Sequence, residues 1–207
     1  MKIANQSVQL LSMTPDAEKL IELAGRTCYK SEDKITDASA GEFVRRMVKS
    51  GHHSTLEHCS ASFKIICSRG MLAEITRHRI GCSYSVESTR FCSYSKEKFD
   101  NQITIMDNYK KINLSEENIF LWEQHCIDTE RLYLKFIADG IKPEHARDIL
   151  PIGLKTEISM TATFRAWRHF LSLRMVKAAH PQIQEIAKMI QEILVIGAKN
   201  CFYDLTS

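Results

Sequence analysis

Residues 77–90 hold the side chains best suited to chemistry in this 207-residue sequence, beginning with the consecutive Arg77, His78 and Arg79. On a helix, three successive side chains point about 100° apart, so one solvated face could not hold them all. Guanidinium forks bind phosphate oxygens through paired, charge-assisted hydrogen bonds. The small residues that follow let backbone amides approach the same anion. The segment therefore predicts an anion site; the alternative is a basic surface segment paired with acidic neighbours.

Residues 163–174 form a second candidate segment, in which polar and apolar side chains recur at helical spacing. A helical wheel predicts a polar face of Arg165, Arg168, His169 and Ser172, and an apolar face of Trp167, Phe170, Leu171 and Leu173. Arg174 falls on the apolar stripe, where a guanidinium is costly unless it is paired. The alternatives are that the helix ends before Arg174 or that its side chain reaches out to solvent.

Two further segments carry weaker signals. Residues 51–59 contain His52, His53, His58, Glu57 and Cys59, a set that could suggest zinc. The histidines lack the H-x-x-x-H spacing and straddle a turn, so a polar turn lining a pocket is the favoured interpretation. Arg147 lies on a short predicted helix before Pro151, where a solvated arginine is the default.

The elements that must position these residues follow from periodicity and from helix start and stop signals. Strands are expected at 8–11, 60–67 and 99–106. One helix is expected to begin after Thr14, which would be its N-cap. Further helices are expected over residues 39–50, 71–79, 114–139, 143–150, 162–173 and 181–199. With no repeat and no low-complexity linker, this pattern predicts one helix-rich α+β domain over residues 1–207.

Composition narrows the class of protein without choosing a function. A net charge of +3 and a pI near 8.4 predict neither nucleic-acid nor membrane binding by themselves. The seven cysteines are odd in number and lack C-x-x-C spacing, which favours free thiols and a cytoplasmic protein. No apolar stretch approaches the length needed to span a bilayer, and the first residues do not resemble a signal peptide.

Taken together, these segments resemble the flavin-dependent thymidylate synthases. That family is identified by Arg-His-Arg followed after seven or eight residues by Ser. Arg77–Arg79 and Ser88 match the longer spacing, and Arg90 completes the Ser-x-Arg ending of the motif. The resemblance extends to His52 with Glu57 and His58, to Arg147 before Leu150 and Pro151, and to Arg165 through Arg174 and His180. It covers most of the chain in the right order.

The resemblance implies a helix-rich α+β fold with a small antiparallel sheet, assembled as a homotetramer whose active sites lie at subunit junctions. It implies an enzyme that methylates dUMP to dTMP with bound FAD. The carbon donor would be 5,10-methylenetetrahydrofolate, which yields tetrahydrofolate, and NADPH would be the reductant. Neither a protein nucleophile nor a metal is expected.

Site residues are carried over from the family by their numbers in this sequence. The implied dUMP contacts are Glu74, Ile75, Thr76, Arg77, Val86, Glu87, Ser88, Thr89, Arg90, Arg147 and Arg174. The implied FAD contacts are His52, Ser54, Arg77, His78, Arg79, Val86, Thr163, Phe164, Arg165, His169 and His180, with Ser54 reaching the flavin of a neighbouring subunit. Arg174 is the implied catalytic residue, because a guanidinium in a low-dielectric pocket stabilises negative charge on the uracil ring.

Three alternatives remain open from the sequence. Val86 and Thr163 stand where the family often carries polar side chains, and some relatives methylate UMP instead of dUMP. A nucleic-acid-binding module could use Arg77, Arg79, Arg90, Arg165 and Arg168 on phosphates. A metal hydrolase could use the cluster between His52 and Cys59.

Overall fold

The periodicities of the sequence become helices and strands in a computed structural model that describes residues 1–109, 112 and 114–205. Within this part of the chain the strands are β1 (Lys2–Ala4), β2 (Ser7–Met13), β3 (Ser60–Ser68), β4 (Cys82–Val86), β5 (Thr104–Met106) and β6 (Lys155–Thr163). The α-helices are α1 (Ala17–Thr27), α2 (Ser39–Lys49), α3 (Arg69–Ile75), α4 (Glu116–Ala138), α5 (Pro143–Ala146), α6 (Phe164–Arg174), α7 (Pro181–Gly197) and α8 (Lys199–Phe202). Short 3-10 helices span Glu32–Lys34, His53–His58, Glu97–Phe99 and Arg147–Ile149.

Four of the strands form one sheet in the order β2-β3-β6-β4. Thr163 N–H donates to Gly81 O and Glu87 N–H donates to Glu157 O, so β4 and β6 run in opposite directions. The other two strands, β1 and β5, pair in parallel, with Lys2 opposite Thr104. The expected helix-rich α+β fold with a small antiparallel sheet is therefore confirmed.

Helix ends follow local chemistry. The longest helix, α4, begins after Ser115, whose side chain accepts a hydrogen bond from Asn118 N–H and so satisfies one of the free donors of the first turn. Pro143 opens α5 and Pro181 opens α7, each at a position where a missing N–H costs nothing. The predicted helices at 39–50, 114–139 and 181–199 are confirmed to within a few residues.

Several local expectations were wrong. Thr14 is not an N-cap: its hydroxyl bonds to Ser60 O, and α1 starts at Ala17 after Asp16, which has a φ of 46°. The strand expected over 99–106 shrinks to Thr104–Met106, because residues 97–99 form a 3-10 helix and Asp100 and Asn101, with φ of 52° and 54°, are not extended. The strands β1, β4 and β6 were missed, although the alternating burial of β6 matches an alternation of apolar and polar residues in its sequence.

The chain divides into two compact units. The first unit comprises residues 1–7, 66–75 and 85–158. Its buried cluster consists of Tyr94, Ile103, Ile105, Cys126, Tyr133, Ala146 and Leu154. Glu130 bonds to the Met1 amino group and to Ile103 N–H, which satisfies the carboxylate of a side chain that is 12% exposed.

The second unit comprises residues 8–65, 76–84 and 159–207. Its centre is aromatic: the rings of Phe63 and Trp167 meet edge to face with centroids 5.1 Å apart, and Phe170 lies 5.6 Å from Trp167. Trp167 Nε1–H donates to Ala61 O, so the buried indole keeps its hydrogen bond. In the described part of the chain, none of the helices has the length and apolar character needed to cross a bilayer.

Candidate functional site

The helix α6 positions Phe164, Arg165, His169 and Arg174 among the candidate side chains of the second unit. It begins where β6 ends, because the Thr163 hydroxyl accepts from Ala166 N–H at 3.2 Å and caps the first turn. Phe164, Trp167, Phe170 and Leu171 are fully buried and fix the rotation of the helix about its axis. Arg165, His169 and Ser172 consequently face solvent.

The predicted helical wheel was wrong at two positions of α6. Arg168 is 7% exposed instead of solvated, and Leu173 is 48% exposed instead of buried. Arg168 can be buried because both its terminal nitrogens bond to Asp204 at 2.7 Å, and one also bonds to Cys201 O. This paired guanidinium lowers the pKa of Asp204. The partner lies 36 residues away, so local periodicity could not reveal it.

The Arg77–Arg79 segment lies in a loop, not on a helix as expected, because α3 ends at Ile75. The loop closes at Gly81, which has a φ of +71°. A Cβ on Gly81 would lie 3.1 Å from Thr163 Oγ1 and 3.2 Å from Ala166 Cβ. Glycine is therefore favoured here both by its positive φ and by the close approach of the α6 start.

His78 and Arg174 form the central contact of this region. Arg174 Nε donates to His78 Nε2 at 2.9 Å, which requires that the imidazole carry no proton on Nε2. Burial, together with the positive charge of Arg174 and the neighbouring His169, lowers the pKa of His78 to about 4. The His78 ring also packs 4.8 Å from the Phe170 ring. The helix thus does continue to Arg174, whose guanidinium is paired.

Two cavities open beside this contact. The smaller, of about 410 Å³, is lined by Arg77, His78, Arg79, Ile80, Cys82, Ala166, His169, Leu173 and Arg174. The larger, of about 710 Å³, is lined by His53, Glu57, Ile80, Gly81, Thr163, Arg165, Ala166, Arg168, His169, Ser172 and Leu205. Both volumes fall in the range of small-molecule sites. Ile80, Ala166 and His169 line both, so the cavities adjoin along α6.

The first unit carries a separate set of candidate residues on the turn after β4. Thr89 is 5% exposed, and its hydroxyl accepts from Arg147 at 3.3 Å. Arg90 Nη2 lies 3.7 Å from Glu144 Oε2, and the backbone N–H of Arg90 donates to the Ser88 hydroxyl at 3.3 Å. Arg147 lies on the 3-10 helix that follows α5. The turn and the adjoining 3-10 helix therefore present two arginines and two hydroxyls, a set that suits a phosphate.

A match to a protein family decides the relationship of this chain to known proteins. A family profile described as "Thy1: Thymidylate synthase complementing protein" matches residues 9–196. The chain belongs to this family. A flavin-dependent thymidylate synthase of Pyrococcus furiosus is 33% identical over 176 residues, which cover 84% of this chain and 70% of that protein.

Solved structures of similar fold agree with the Thy1 assignment. Thymidylate synthase X of Helicobacter pylori, solved with FAD and dUMP, is 26% identical, with a TM-score of 0.78 over 97% of this chain and 98% of that one. A UMP/dUMP methylase of Streptomyces cacaoi, bound with 5-bromo-dUMP, has a TM-score of 0.82 at 21% identity. The match covers 98% of this chain and 96% of that one. At that identity the likeness shows the fold alone.

Within this Thy1 family member, the structure brings together many of the residues expected to contact FAD. Arg77, His78, Arg79 and His169 line the smaller cavity, and Thr163, Arg165 and His169 line the larger. Arg165 is held by Glu57 at 2.6 Å, with both side chains about half exposed.

Other expected contacts do not line either cavity. His52, the N-cap of the 3-10 helix His53–His58, is exposed, and so is Ser54 in the first turn of that helix. His180 caps α7, where its Nδ1 accepts from Gln182 N–H. Phe164 is fully buried, with its ring 5.2 Å from that of Phe202.

In the first unit of this Thy1 chain, Ser88, Thr89 and Arg90 lie on the turn after β4, and Arg147 reaches this turn from its 3-10 helix through Thr89. Ile75 is fully buried, and Glu74, Val86 and Glu87 are half-buried. In the second unit, Thr76 is half-buried in the loop that contains Arg77. Residue-type reasoning missed the apolar lining residues Ile80 and Ala166, which carry no functional group that could mark them. Among the described residues, no three His, Cys, Asp or Glu side chains are placed to hold a metal ion.

Proposed function

We propose that this chain is an FAD-dependent thymidylate synthase that reductively methylates dUMP to dTMP. The proposed carbon donor is 5,10-methylenetetrahydrofolate, the reductant is NADPH, and tetrahydrofolate is released. The family match and the Helicobacter pylori structure with FAD and dUMP support this proposal. The structural observation that carries it is the pairing of Arg174 with His78 at the wall of a cavity that also presents Arg77 and Arg79.

The cavity residues of the second unit fit a dinucleotide cofactor. FAD carries a pyrophosphate, for which the exposed guanidinium groups of Arg77 and Arg79 are suitable partners, and the polar face of α6 offers Arg165 and His169. We propose that the FAD contacts are His52, Ser54, Arg77, His78, Arg79, Val86, Thr163, Phe164, Arg165, His169 and His180. For the fully buried Phe164, the proposed contact is made by the backbone. When bound, the flavin supplies hydride chemistry, and the folate supplies the one-carbon unit.

The turn after β4 fits a phosphate, and we propose that dUMP contacts Glu74, Ile75, Thr76, Arg77, Val86, Glu87, Ser88, Thr89, Arg90, Arg147 and Arg174. Arg147 is already oriented by Thr89 and is half-buried, which strengthens its pairing with an anion. Uracil C5 becomes nucleophilic only when negative charge builds on the ring. We propose that Arg174 stabilises that charge, as a donor already oriented by His78.

The proposal extends to the assembly and the compartment. We propose that residues 1–207 act as a single functional domain and that four copies assemble into a homotetramer whose active sites are shared between subunits. The cysteines of the chain are free thiols, which supports a cytoplasmic location. We propose no nucleic-acid partner, because the net charge of +3 is small and the sequence carries no recognised nucleic-acid-binding motif.

Colour and turnover test the proposed function. The purified protein should be yellow, its flavin absorbance should bleach with NADPH, and it should convert dUMP to dTMP when the folate is added. Arg174→Ala should abolish methylation while FAD remains bound, because Arg174 acts on the pyrimidine. A colourless protein that takes up no flavin would contradict the proposal. Turnover of UMP at the expense of dUMP would instead place the enzyme among the UMP methylases.

A further inference from the structure

A partly buried cluster of polar side chains lies next to the proposed phosphate-binding turn in the first unit. Glu87, directly after β4, accepts from Tyr94 Oη at 3.2 Å on one carboxylate oxygen and from Lys155 Nζ at 2.9 Å on the other. The side chains of Glu87 and Lys155 are 11% and 18% exposed, and Tyr94 is 4% exposed. Lys155 also bonds to Glu157. Glu87 is among the proposed dUMP contacts, but that role does not explain why Lys155 and Tyr94, which have no assigned role, converge on its carboxylate.

The cluster closes the base of a loop. Glu87 precedes residues 88–93, here called the 88–93 loop, and Tyr94 follows them, so the Tyr94–Glu87 hydrogen bond joins the two ends of the loop. Tyr94 is itself fixed, because its N–H bonds to Tyr133 Oη in the buried cluster of the first unit. Lys155 lies at the start of β6 and holds the second carboxylate oxygen of Glu87. The 88–93 loop carries Ser88, Thr89 and Arg90.

Charge gives the cluster a second role. Burial alone would lower the pKa of Lys155, but its bonds and charge pairing with Glu157 and Glu87 outweigh burial and raise it, so the amine stays protonated. Its positive charge offsets two carboxylates that stand close to a loop suited to an anion. Without that charge, Glu87 and Glu157 would repel a phosphate as well as each other.

We propose that Lys155 and Tyr94 are positioning residues that act through Glu87, holding the 88–93 loop in the conformation that receives the nucleotide phosphate. Glu87 then serves as the anchor of the loop: a protein donor occupies each of its carboxylate oxygens, so its proposed contact with dUMP is made by the backbone. This inference rests on the proposed function, because the phosphate in question is that of dUMP. It predicts an effect on nucleotide affinity with little effect on flavin binding or on the chemical step.

Lys155→Met in the FAD-loaded enzyme tests the proposal, since methionine keeps much of the length of the side chain and loses the charge. The KM for dUMP and its Kd by calorimetry should rise about tenfold, the loss expected of one charge-assisted hydrogen bond. The kcat at saturating dUMP and the FAD content should stay unchanged. Lys155→Arg should restore affinity, and adding Glu87→Gln to Lys155→Met should recover part of it by removing the uncompensated charge.

Two further variants make the result decisive. Lys135→Met removes an exposed lysine that pairs with Asp139 in the same unit, and it should leave the KM unchanged. Tyr94→Phe removes only the hydroxyl that closes the loop and should raise the KM less than Lys155→Met does; it decides the question if Lys155→Met does not fold. A wild-type KM for dUMP in both Lys155→Met and Tyr94→Phe overturns this inference. So does a fall in FAD content and kcat as large as the loss of dUMP affinity. Wild-type protein that binds neither FAD nor dUMP overturns the proposed function itself.

Discussion

Arg174 donates its Nε–H to His78 Nε2 at 2.9 Å, so the guanidinium at the end of α6 is oriented by an uncharged imidazole. A cation beside another cation would be repelled, and the low pKa of His78 prevents that arrangement at neutral pH. If Arg174 stabilises charge on the pyrimidine, as we propose, this pairing keeps the reorganisation needed for that role small. The pairing also explains how a guanidinium is accommodated at a position where the helix turns its apolar face inward.

His78→Leu should lower kcat for dTMP formation by about tenfold to a hundredfold, because Arg174 loses the acceptor that orients it. His78→Gln offers a side-chain oxygen near the position of Nε2 and should recover part of the rate. The measurement is steady-state kcat in enzyme saturated with FAD, so that any loss of flavin affinity is compensated. Equal rates in the leucine and glutamine variants would contradict an orienting role.

Stability should depend on pH through His78. Its folded-state pKa of about 4 lies below the ordinary value of 6.5, so the unfolded chain takes up a proton first as the pH falls. The contribution of the neutral imidazole is fully present above about pH 6.5 and is lost progressively down to about pH 4, by up to about 1.4 kcal/mol per pH unit. Urea unfolding at pH 7, 6 and 5 measures this slope. His78→Gln should flatten it, and an unchanged slope in that variant would assign the effect to other groups.

Gly81→Ala should destabilise the loop that carries Arg77–Arg79. The substitution places a Cβ at a positive φ, which costs about 1–2 kcal/mol, and brings it against Thr163 and Ala166 at the α6 start. Gly51→Ala is the matched control, because Gly51 has a φ of +72° but a Cβ added there would meet nothing within 4 Å. Denaturant unfolding should show a larger loss in the free energy of unfolding for Gly81→Ala than for Gly51→Ala. Only Gly81→Ala should also release FAD. A similar result for both variants would mean that the close approach is unimportant.

Asp204→Asn should lower the free energy of unfolding and loosen Arg168 and Leu205, which line the larger cavity. Arg168 is 7% exposed and depends on Asp204 for two hydrogen bonds, while Asp204 is itself about one-third exposed. We expect a loss of about 2 kcal/mol in the free energy of unfolding, between the values of exposed and buried ion pairs. Glu42→Gln breaks the exposed Arg46–Glu42 pair and should change stability by less than about 0.5 kcal/mol. Chemical denaturation of both variants at one pH makes the comparison.

Local features of the sequence predicted the elements whose signals are themselves local. Helices α2, α4 and α7 follow from apolar periodicity and from breakers such as Gly51, Gly140 and Pro181. Prediction failed at Arg77–Arg79, where a helical pattern was extended past Ile75, because the loop conformation is set by the contact of Gly81 with Thr163. It failed at Arg168 and Leu173 because burial on α6 depends on Asp204 and on the aromatic centre of the second unit.

The sequence by itself determined the chemical groups of this protein and the family to which it belongs, because residue types at fixed spacings in Arg77–Arg90 and Arg165–Arg174 need no folded structure to be recognised. Only the tertiary structure decided which groups meet. His78 and Arg174 are 96 residues apart, Lys155 and Glu87 are 68 apart, and Arg147 and Thr89 are 58 apart. Such contacts are set by how strands and helices pack across the chain, and no short-range pattern of residues encodes them.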